Sequence, residues 1–301
     1  MARVAERHGV RPCPWGGRGA VLLTPLALTP LLVACAGPSA RRDGADALAA
    51  MAGLMPGTVP AGPFALAVWQ RTAKASALSL YIEGDGLAWL DRSRPSPDPT
   101  PVEPVALRLA ALDPAPAVAV LARPCQYRRA APQPQPLCDD PRWWTERRFT
   151  PATLAALEQA VAILKERAGA ERLHLIGFSG GGALAALLAA RRSDVASLRT
   201  VAGNLEPAWV DRLHGVDTPS GTLSPLAGVE RLSQVPQIHF SGLRDRVVPP
   251  EIAEAFAEAV GRSGRSIACI RRERTAAGHT DGWAGAWPAL LAQPLPACGA
   301  R

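Results

Sequence analysis

Ser179 stands at the centre of Gly177-Phe178-Ser179-Gly180-Gly181, a G-x-S-x-G pattern. An apolar run, Leu173–Ile176, precedes it and a helix-forming run, Gly180–Arg192, follows. A serine hydroxyl becomes a nucleophile only when a base takes its proton and a turn presents its oxygen. A strained strand-to-helix turn does the second, and glycines on either side remove the Cβ atoms that would collide there. The N–H of Gly180, at the start of a helix, then points to where an oxyanion would form. Two other readings compete, a plain Gly-rich connection and a phosphate cradle. The cradle is weakened by the lack of a Gly-Lys-Ser/Thr and of a G-x-G-x-x-G.

Such a serine needs a base. His8 falls in a segment read below as a removed leader, His174 and His239 lie inside strand-like runs, and His214 is in an irregular stretch. His279, in Ala277-Gly278-His279-Thr280-Asp281-Gly282-Trp283, follows the last strand-like run and precedes the last helix, where an open α/β sheet puts its active-site loops. The acid that orients the imidazole is expected between the serine and the histidine in the chain. Asp245 is the carboxylate there that directly follows a strand, in Phe240-Ser241-Gly242-Leu243-Arg244-Asp245, and Pro249-Pro250 close its loop. Asp211 and Asp217 are reserves. A second oxyanion donor is expected from Ile82-Glu83-Gly84-Asp85-Gly86, with the N–H of Asp85 first and that of Gly86 next; a simple two-glycine turn is the other reading.

The elements that must hold these residues are legible as alternation. Phe64–Trp69, Ala77–Ile82, Val118–Ala122, Leu173–Ile176, Leu198–Val201, Ile238–Phe240 and Ser266–Ile270 read as strands. Pro151–Arg167, Gly180–Arg192, Glu251–Val260 and Trp283–Ala292 read as helices, with Val105–Leu112 a weaker one. Thr150 before Pro151 offers an N-cap oxygen and then proline at the first helical position. Strand–helix alternation predicts an α/β fold, one mostly parallel sheet covered by helices. The Pro-rich stretches at 92–104 and 131–141 read as loops within it.

From about Phe64 to Leu291 the chain resembles the α/β-hydrolase superfamily. The order Ser179, Asp245, His279, the Gly177–Gly181 elbow and the Gly242-x-x-Asp245-x-x-Val248-Pro249 segment carry the resemblance. More narrowly it resembles proteobacterial lipoproteins of this fold, through Ile82-Glu83-Gly84-Asp85-Gly86 and Arg123-Pro124-Cys125-Gln126-Tyr127. Glu83 departs from the wider pattern, where many relatives carry histidine. The resemblance implies a sheet flanked by helices on both faces and a Ser179–His279–Asp245 triad working through an acyl-enzyme. It implies an oxyanion hole from Asp85 and Gly180, and neither metal nor organic cofactor. Esterases, lipases, thioesterases and peptidases share the fold, and a small or lipid-like carboxylic ester is the expected substrate. The rival from another class is a non-catalytic envelope lipoprotein that uses the fold to bind a ligand or partner.

The N-terminal part reads as an export signal. Arg-bearing residues up to Arg18 precede an uncharged run, Val21–Ala34, too short to span a bilayer comfortably but fitting a signal peptide. Leu32-Val33-Ala34-Cys35 resembles the lipobox of bacterial lipoproteins, which implies cleavage after residue 34, acylation of Cys35 and attachment to an envelope membrane facing the periplasm. A soluble secreted protein is the alternative. Residues 35–63, rich in Ala, Gly and Pro, read as a tether, with a short helical patch possible at Asp46–Met51; residues 64–301 read as the hydrolase domain. Cys125, Cys138, Cys269 and Cys298 suit disulfides in that compartment and lack the C-x-x-C spacing of a zinc site. Pairing of 125 with 138 and 269 with 298 closes the shortest loops. Trp143 and Trp144, just beyond, read either as a wall of the acyl pocket, with Arg147 and Arg148 outside it, or as packing of the loop onto the body.

The chain is 301 residues long, 48% hydrophobic and 20% charged, enough for one large core and incompatible with wholesale disorder. The formal charge is +7. Arg3, Arg7, Arg11 and Arg18 against Glu6 make residues 1–34 +3, leaving +7 − 3 = +4 for the remainder. That remainder is spread rather than clustered, which gives no footprint for nucleic acid.

Overall fold

The computed structural model describes residues 37–128, 131, 133–262 and 269–298, so the expected signal, residues 1–34, and Cys35 lie outside them. In chain order the elements are α1 Pro38–Met51, β1 Met55–Ala61, β2 Phe64–Thr72, β3 Ala77–Ile82, α2 Val105–Ala110, β4 Ala117–Leu121, α3 Pro151–Arg167 and β5 Arg172–Phe178. They continue as α4 Gly180–Arg191, β6 Val195–Val201, α5 Pro207–Leu213, α6 Val229–Leu232, β7 Gln237–Gly242, α7 Pro250–Arg262, β8 Ile270–Thr275 and α8 Trp283–Leu291. The eight strands form one sheet in the order β1-β2-β4-β3-β5-β6-β7-β8. β1, β2 and β4 pair antiparallel, and from β4 to β8 every pairing is parallel.

The central strands β3, β4 and β7 are buried on both faces because both faces are covered. One core gathers Leu78, Leu80 and Ile82 of β3 with Leu154, Leu157 and Val161 of α3, residues 183–189 of α4, and Ile252 and Phe256 of α7. The other gathers Tyr81 and Ile176 with Ala45 and Ala49 of α1, Leu107 of α2, and Trp283 and Trp287 of α8. In α3 the buried positions Leu154, Leu157, Val161 and Leu164 follow helical spacing. Thr150 is its N-cap by position only: its hydroxyl donates to the Arg147 carbonyl at 3.0 Å rather than capping the helix.

One expectation is corrected outright. The stretch expected to be a tether is folded: α1 and β1 occupy most of residues 35–63. Ala45 and Ala49 are small and one turn apart, so α1 seats closely on the sheet. Asp46 of α1 accepts a hydrogen bond from the Trp69 indole N–H at 2.6 Å. β1 pairs with β2 along its whole length, from Met55 opposite Gln70 to Ala61 opposite Phe64. Its two prolines, Pro56 and Pro60, made the segment look unlike a strand, but β1 is the sheet edge, where a missing N–H is tolerated. The strand read at Ser266–Ile270 falls mostly on residues outside the described ones, and the last described strand is β8, Ile270–Thr275. β8 is the opposite edge and carries Arg271, Arg272, Glu273 and Arg274, so an apolar run was the wrong signal for it. Of the two readings of Trp143 and Trp144, the contacts match packing of the loop onto the body, and neither residue lines the cleft beside Ser179. Trp143 meets Phe64 edge-on at 4.9 Å, and the Trp144 indole N–H donates to the Ser96 carbonyl at 3.1 Å.

The cysteines pair 125 with 138 and 269 with 298. The first closes a 13-residue separation, worth about 3 kcal/mol in the chain-entropy account.

Candidate active site

Ser179 is the residue between β5 and α4, with φ +49° and ψ −122°, a conformation rare for a residue with a side chain. The glycines of the motif explain how the turn exists at all. A Cβ on Gly177 would run into the backbone of Gly181 and Gly182, and one on Gly181 into the carbonyls of Ile82 and Glu83. The turn is held by the Ser179 carbonyl, which accepts from the Gly182 N–H at 2.8 Å and the Asn204 N–H at 2.9 Å, and by the Ser179 N–H donating to Val201 at 3.0 Å. A strained backbone of this kind persists only where its surroundings over-determine it.

The loops after β7 and β8 bring the other two residues to it. They touch backbone to backbone: the Leu243 N–H donates to Thr275 and the Arg244 N–H to Ala277, both at 2.9 Å. A Cβ on Gly242 would sit 2.7 Å from the Ala277 carbonyl, so only glycine lets the loops approach this closely. His279 Nε2 lies 3.0 Å from Ser179 Oγ, and His279 Nδ1 lies 2.9 Å from Asp245 Oδ2. The other carboxylate oxygen, Asp245 Oδ1, accepts the N–H groups of Val247 at 2.8 Å and Val248 at 2.9 Å. Asp245 is therefore rotationally fixed with one oxygen aimed at the imidazole. The backbone of His279 is pinned in turn by the buried Trp283 indole N–H, 3.0 Å from both the Gly278 and His279 carbonyls. The arrangement can take a proton from Ser179, hold it on an oriented imidazole, and return it.

The other histidines among the described residues, and the reserve carboxylates, are elsewhere. His239 is fully buried beside Thr200 and Gln237, and burial pushes it down to about 3, so it stays neutral. His174 Nδ1 is 2.7 Å from Ser197 Oγ, and His214 Nε2 is 2.7 Å from the Val247 carbonyl. Asp211 pairs with Arg148 at 2.6 Å, and Asp217 is exposed in a separate depression beside Trp143.

Ser179 and His279 open onto a cleft of about 420 Å³ with walls of Leu87, Pro101, Val102, Phe178 and Val247. Its floor is the loop after β3, Glu83 to Gly86. Gly84 presses directly on Ser179: a Cβ there would lie 2.9 Å from the Phe178 ring and 3.2 Å from Ser179 Cβ. Asp85 and Gly180 both border the serine, and Gly180, as the first residue of α4, has an N–H without an intrahelical acceptor.

Several residues that shape this floor were not picked out by motif. Glu83 is buried and accepts the Leu107 N–H at 3.0 Å and the Ala106 N–H at 3.4 Å, tying the loop to the start of α2. Burial pushes its carboxyl up to about 7, against the downward pull of those N–H groups. The Asp85 carboxylate is held by the guanidinium of Arg123 and by that of Arg148 at 3.2 Å. Arg148, expected outside the pocket, is thus buried in an Arg123–Asp85–Arg148–Asp211 network. Burial lowers Arg123 to about 9. The sequence signal for this group was the Arg123–Tyr127 segment, whose partners lie far apart in the chain.

The serine hydrolase family named FSH1 matches residues 117–270, just over half of the chain. The matched span runs from β4 to the first residue of β8 and carries Ser179 and Asp245. No curated protein matches the sequence. Among solved structures, an esterase from Pyrococcus furiosus superposes with a TM-score of 0.55 at 13% identity, over 80% of this chain and 88% of its own. Est1E from Butyrivibrio proteoclasticus gives 0.54 at 13% identity, over 78% and 97%. A Thermus thermophilus protein gives 0.51 at 20% identity, over 79% and 95%. These likenesses speak for the α/β-hydrolase fold, and the sheet order and elbow described above are that fold's. The family match adds what the fold alone does not: this chain belongs to the serine hydrolase (FSH1) family.

Proposed function

We propose that the protein is a serine esterase in which Ser179, His279 and Asp245 act as a catalytic triad on carboxylic esters. Ser179 Oγ attacks the ester carbonyl as His279 Nε2 takes its proton. The imidazolium returns that proton to the departing alkoxide, leaving an acyl-serine. Water, deprotonated by the same nitrogen, attacks the acyl-serine and releases the acid and Ser179. Asp245 keeps Nδ1 protonated and stabilises the imidazolium, and the N–H groups of Gly180 and Asp85 receive the carbonyl oxygen as its charge develops. The observation that carries the reading is the continuous Ser179–His279–Asp245 contact, 3.0 and 2.9 Å, on a strained elbow. The apolar walls of the cleft favour an uncharged acyl group. Turnover of a chain-length series of nitrophenyl esters by residues 37–301, with Ser179→Ala alongside, tests it. The variant should lose on the order of 10⁴-fold or more while remaining folded; retention of most activity by purified Ser179→Ala would remove the nucleophile from this site.

Attachment to a bacterial envelope membrane through acylated Cys35 is part of the same proposal and is supported by the Leu32–Cys35 pattern alone. The intact mass of the mature N-terminal peptide tests it, and an unmodified N-terminus beyond residue 35 refutes it.

A further inference from the structure

The loop that borders the nucleophile is gripped from behind by a buried glutamine that no motif assigns a role. Gln126 is 2% exposed and does not line the Ser179 cleft; it lies on the other side of the loop, against Arg123, Trp143 and Trp144. Its Nε2 donates to the Gly84 carbonyl at 2.8 Å, and its Oε1 accepts the Arg123 N–H at 3.0 Å. The two partners fix which end of the amide faces Gly84. The turn that carries it is itself held, by the Cys125–Cys138 disulfide on one side and by the Tyr127 N–H donating to Thr100 Oγ1 at 2.8 Å on the other.

The Gly84 carbonyl and the Asp85 N–H belong to one planar trans peptide, so they point in opposite directions. A bond that draws the carbonyl to the rear of the loop turns the N–H toward the cleft. Glycine at position 84 leaves this peptide otherwise free to rotate, and the Arg123 and Arg148 contacts fix the side chain of Asp85 but not its amide. We propose that Gln126 is a positioning residue for hydrolysis, which acts through the Gly84–Asp85 peptide to aim the Asp85 N–H at the developing oxyanion. This rests on the triad and oxyanion assignment proposed above and goes beyond it, because it makes catalysis depend on a residue that touches neither substrate nor triad.

An oxyanion contact is made in the transition state more strongly than in the ground state, so its loss lowers kcat more than it raises KM. Removing one such donor costs on the order of 10²–10³ in kcat. Misaiming it through Gln126→Glu, which puts a carboxylate against the Gly84 carbonyl, should cost about 10- to 100-fold. Gln126→Ala removes the bond without burying a charge and should lower kcat in the same direction. Both are measured on nitrophenyl esters per active site, counted by exhaustive fluorophosphonate labelling, together with affinity for an alkyl boronic acid, whose tetrahedral adduct places an oxygen in the hole. The expected result is a fall in kcat with KM within about threefold, matched by weaker boronate binding. A purely structural role would lower the melting temperature and the number of labelled sites while leaving kcat per site and boronate affinity unchanged, and that result overturns the inference. The controls separate it from the reading beneath it. If wild-type turnover survives Ser179→Ala, the triad assignment falls and takes the inference with it. If turnover requires Ser179 and both Gln126 variants keep wild-type kcat, the inference alone falls.

Discussion

Replacing Asp245 by asparagine changes one atom and should silence the base while leaving the fold in place. Asp245 Oδ1 accepts two backbone N–H groups, at 2.8 and 2.9 Å, and Oδ2 faces His279 Nδ1 at 2.9 Å. An asparagine oxygen must keep the first position, because the reverse rotamer would set an NH2 group against two N–H donors in a buried site, at about 1–3 kcal/mol for each group left unmade. The NH2 group then faces Nδ1, which can only accept. The neutral imidazole must carry its proton on Nε2, 3.0 Å from Ser179 Oγ, where a lone pair is needed. Losing the correct tautomer costs on the order of 10⁴ in kcat, about 5 kcal/mol of barrier. Ester turnover at neutral pH with calorimetry on the same preparation is the assay. The expected result is the full loss of kcat with the melting temperature nearly unchanged. An Asp245→Asn protein within tenfold of wild-type kcat would mean that Asp245 does not set the tautomer, and the reasoning from its two backbone donors would fail.

Other perturbations have defined outcomes. Glu83 has a folded value of about 7 against an ordinary 4.5, so folding favours its neutral form. Its contribution is full below pH 4.5 and is lost as pH rises through 7, by up to about 3 kcal/mol; denaturant unfolding should show a fall across that window in wild type that Glu83→Gln lacks, and identical profiles would refute it. Gly181→Ala drives a Cβ into the Ile82 and Glu83 carbonyls and should destroy the elbow; a folded, active Gly181→Ala protein would contradict the packing described. A chain begun at residue 64 loses α1 and β1, bares the β2 edge and uncovers Trp69, and should aggregate where one begun at residue 37 is soluble and monodisperse; light scattering on the two separates them.

What the sequence disclosed was set by how local each signal is. Ser179, Asp245 and His279 each sit where a strand ends, so the motif, the glycines and the chain order could be read without knowing the sheet. The N-terminal region misled because alanine and proline have two readings. Ala45 and Ala49 look like linker composition until a sheet face lies against them, and Pro56 and Pro60 exclude a central strand but not an edge. β8 escapes an apolar-run criterion because Arg271, Arg272, Glu273 and Arg274 fill most of this edge strand. Gln126 and Arg148 were beyond reach for a different reason. Their partners are 42 and 63 residues away, and only the packed loops reveal that Gly84 and Asp85 are what they hold.

The folded state of α1 sets the length of a leash. Were Cys35 acylated as proposed, only Ala36 and Gly37 would separate it from Pro38, the first residue of a helix seated on the body. Three residue steps extend at most about 11 Å. From the first turn of that helix the Arg41 guanidinium donates to the carbonyl of Thr100, whose neighbour Pro101 forms a wall of the cleft. An enzyme held this way would not roam the periplasm at the end of a flexible arm. It would ride the bilayer with its cleft near the headgroups, meeting esters that diffuse in two dimensions, and its working concentration would be counted per area of membrane rather than per volume.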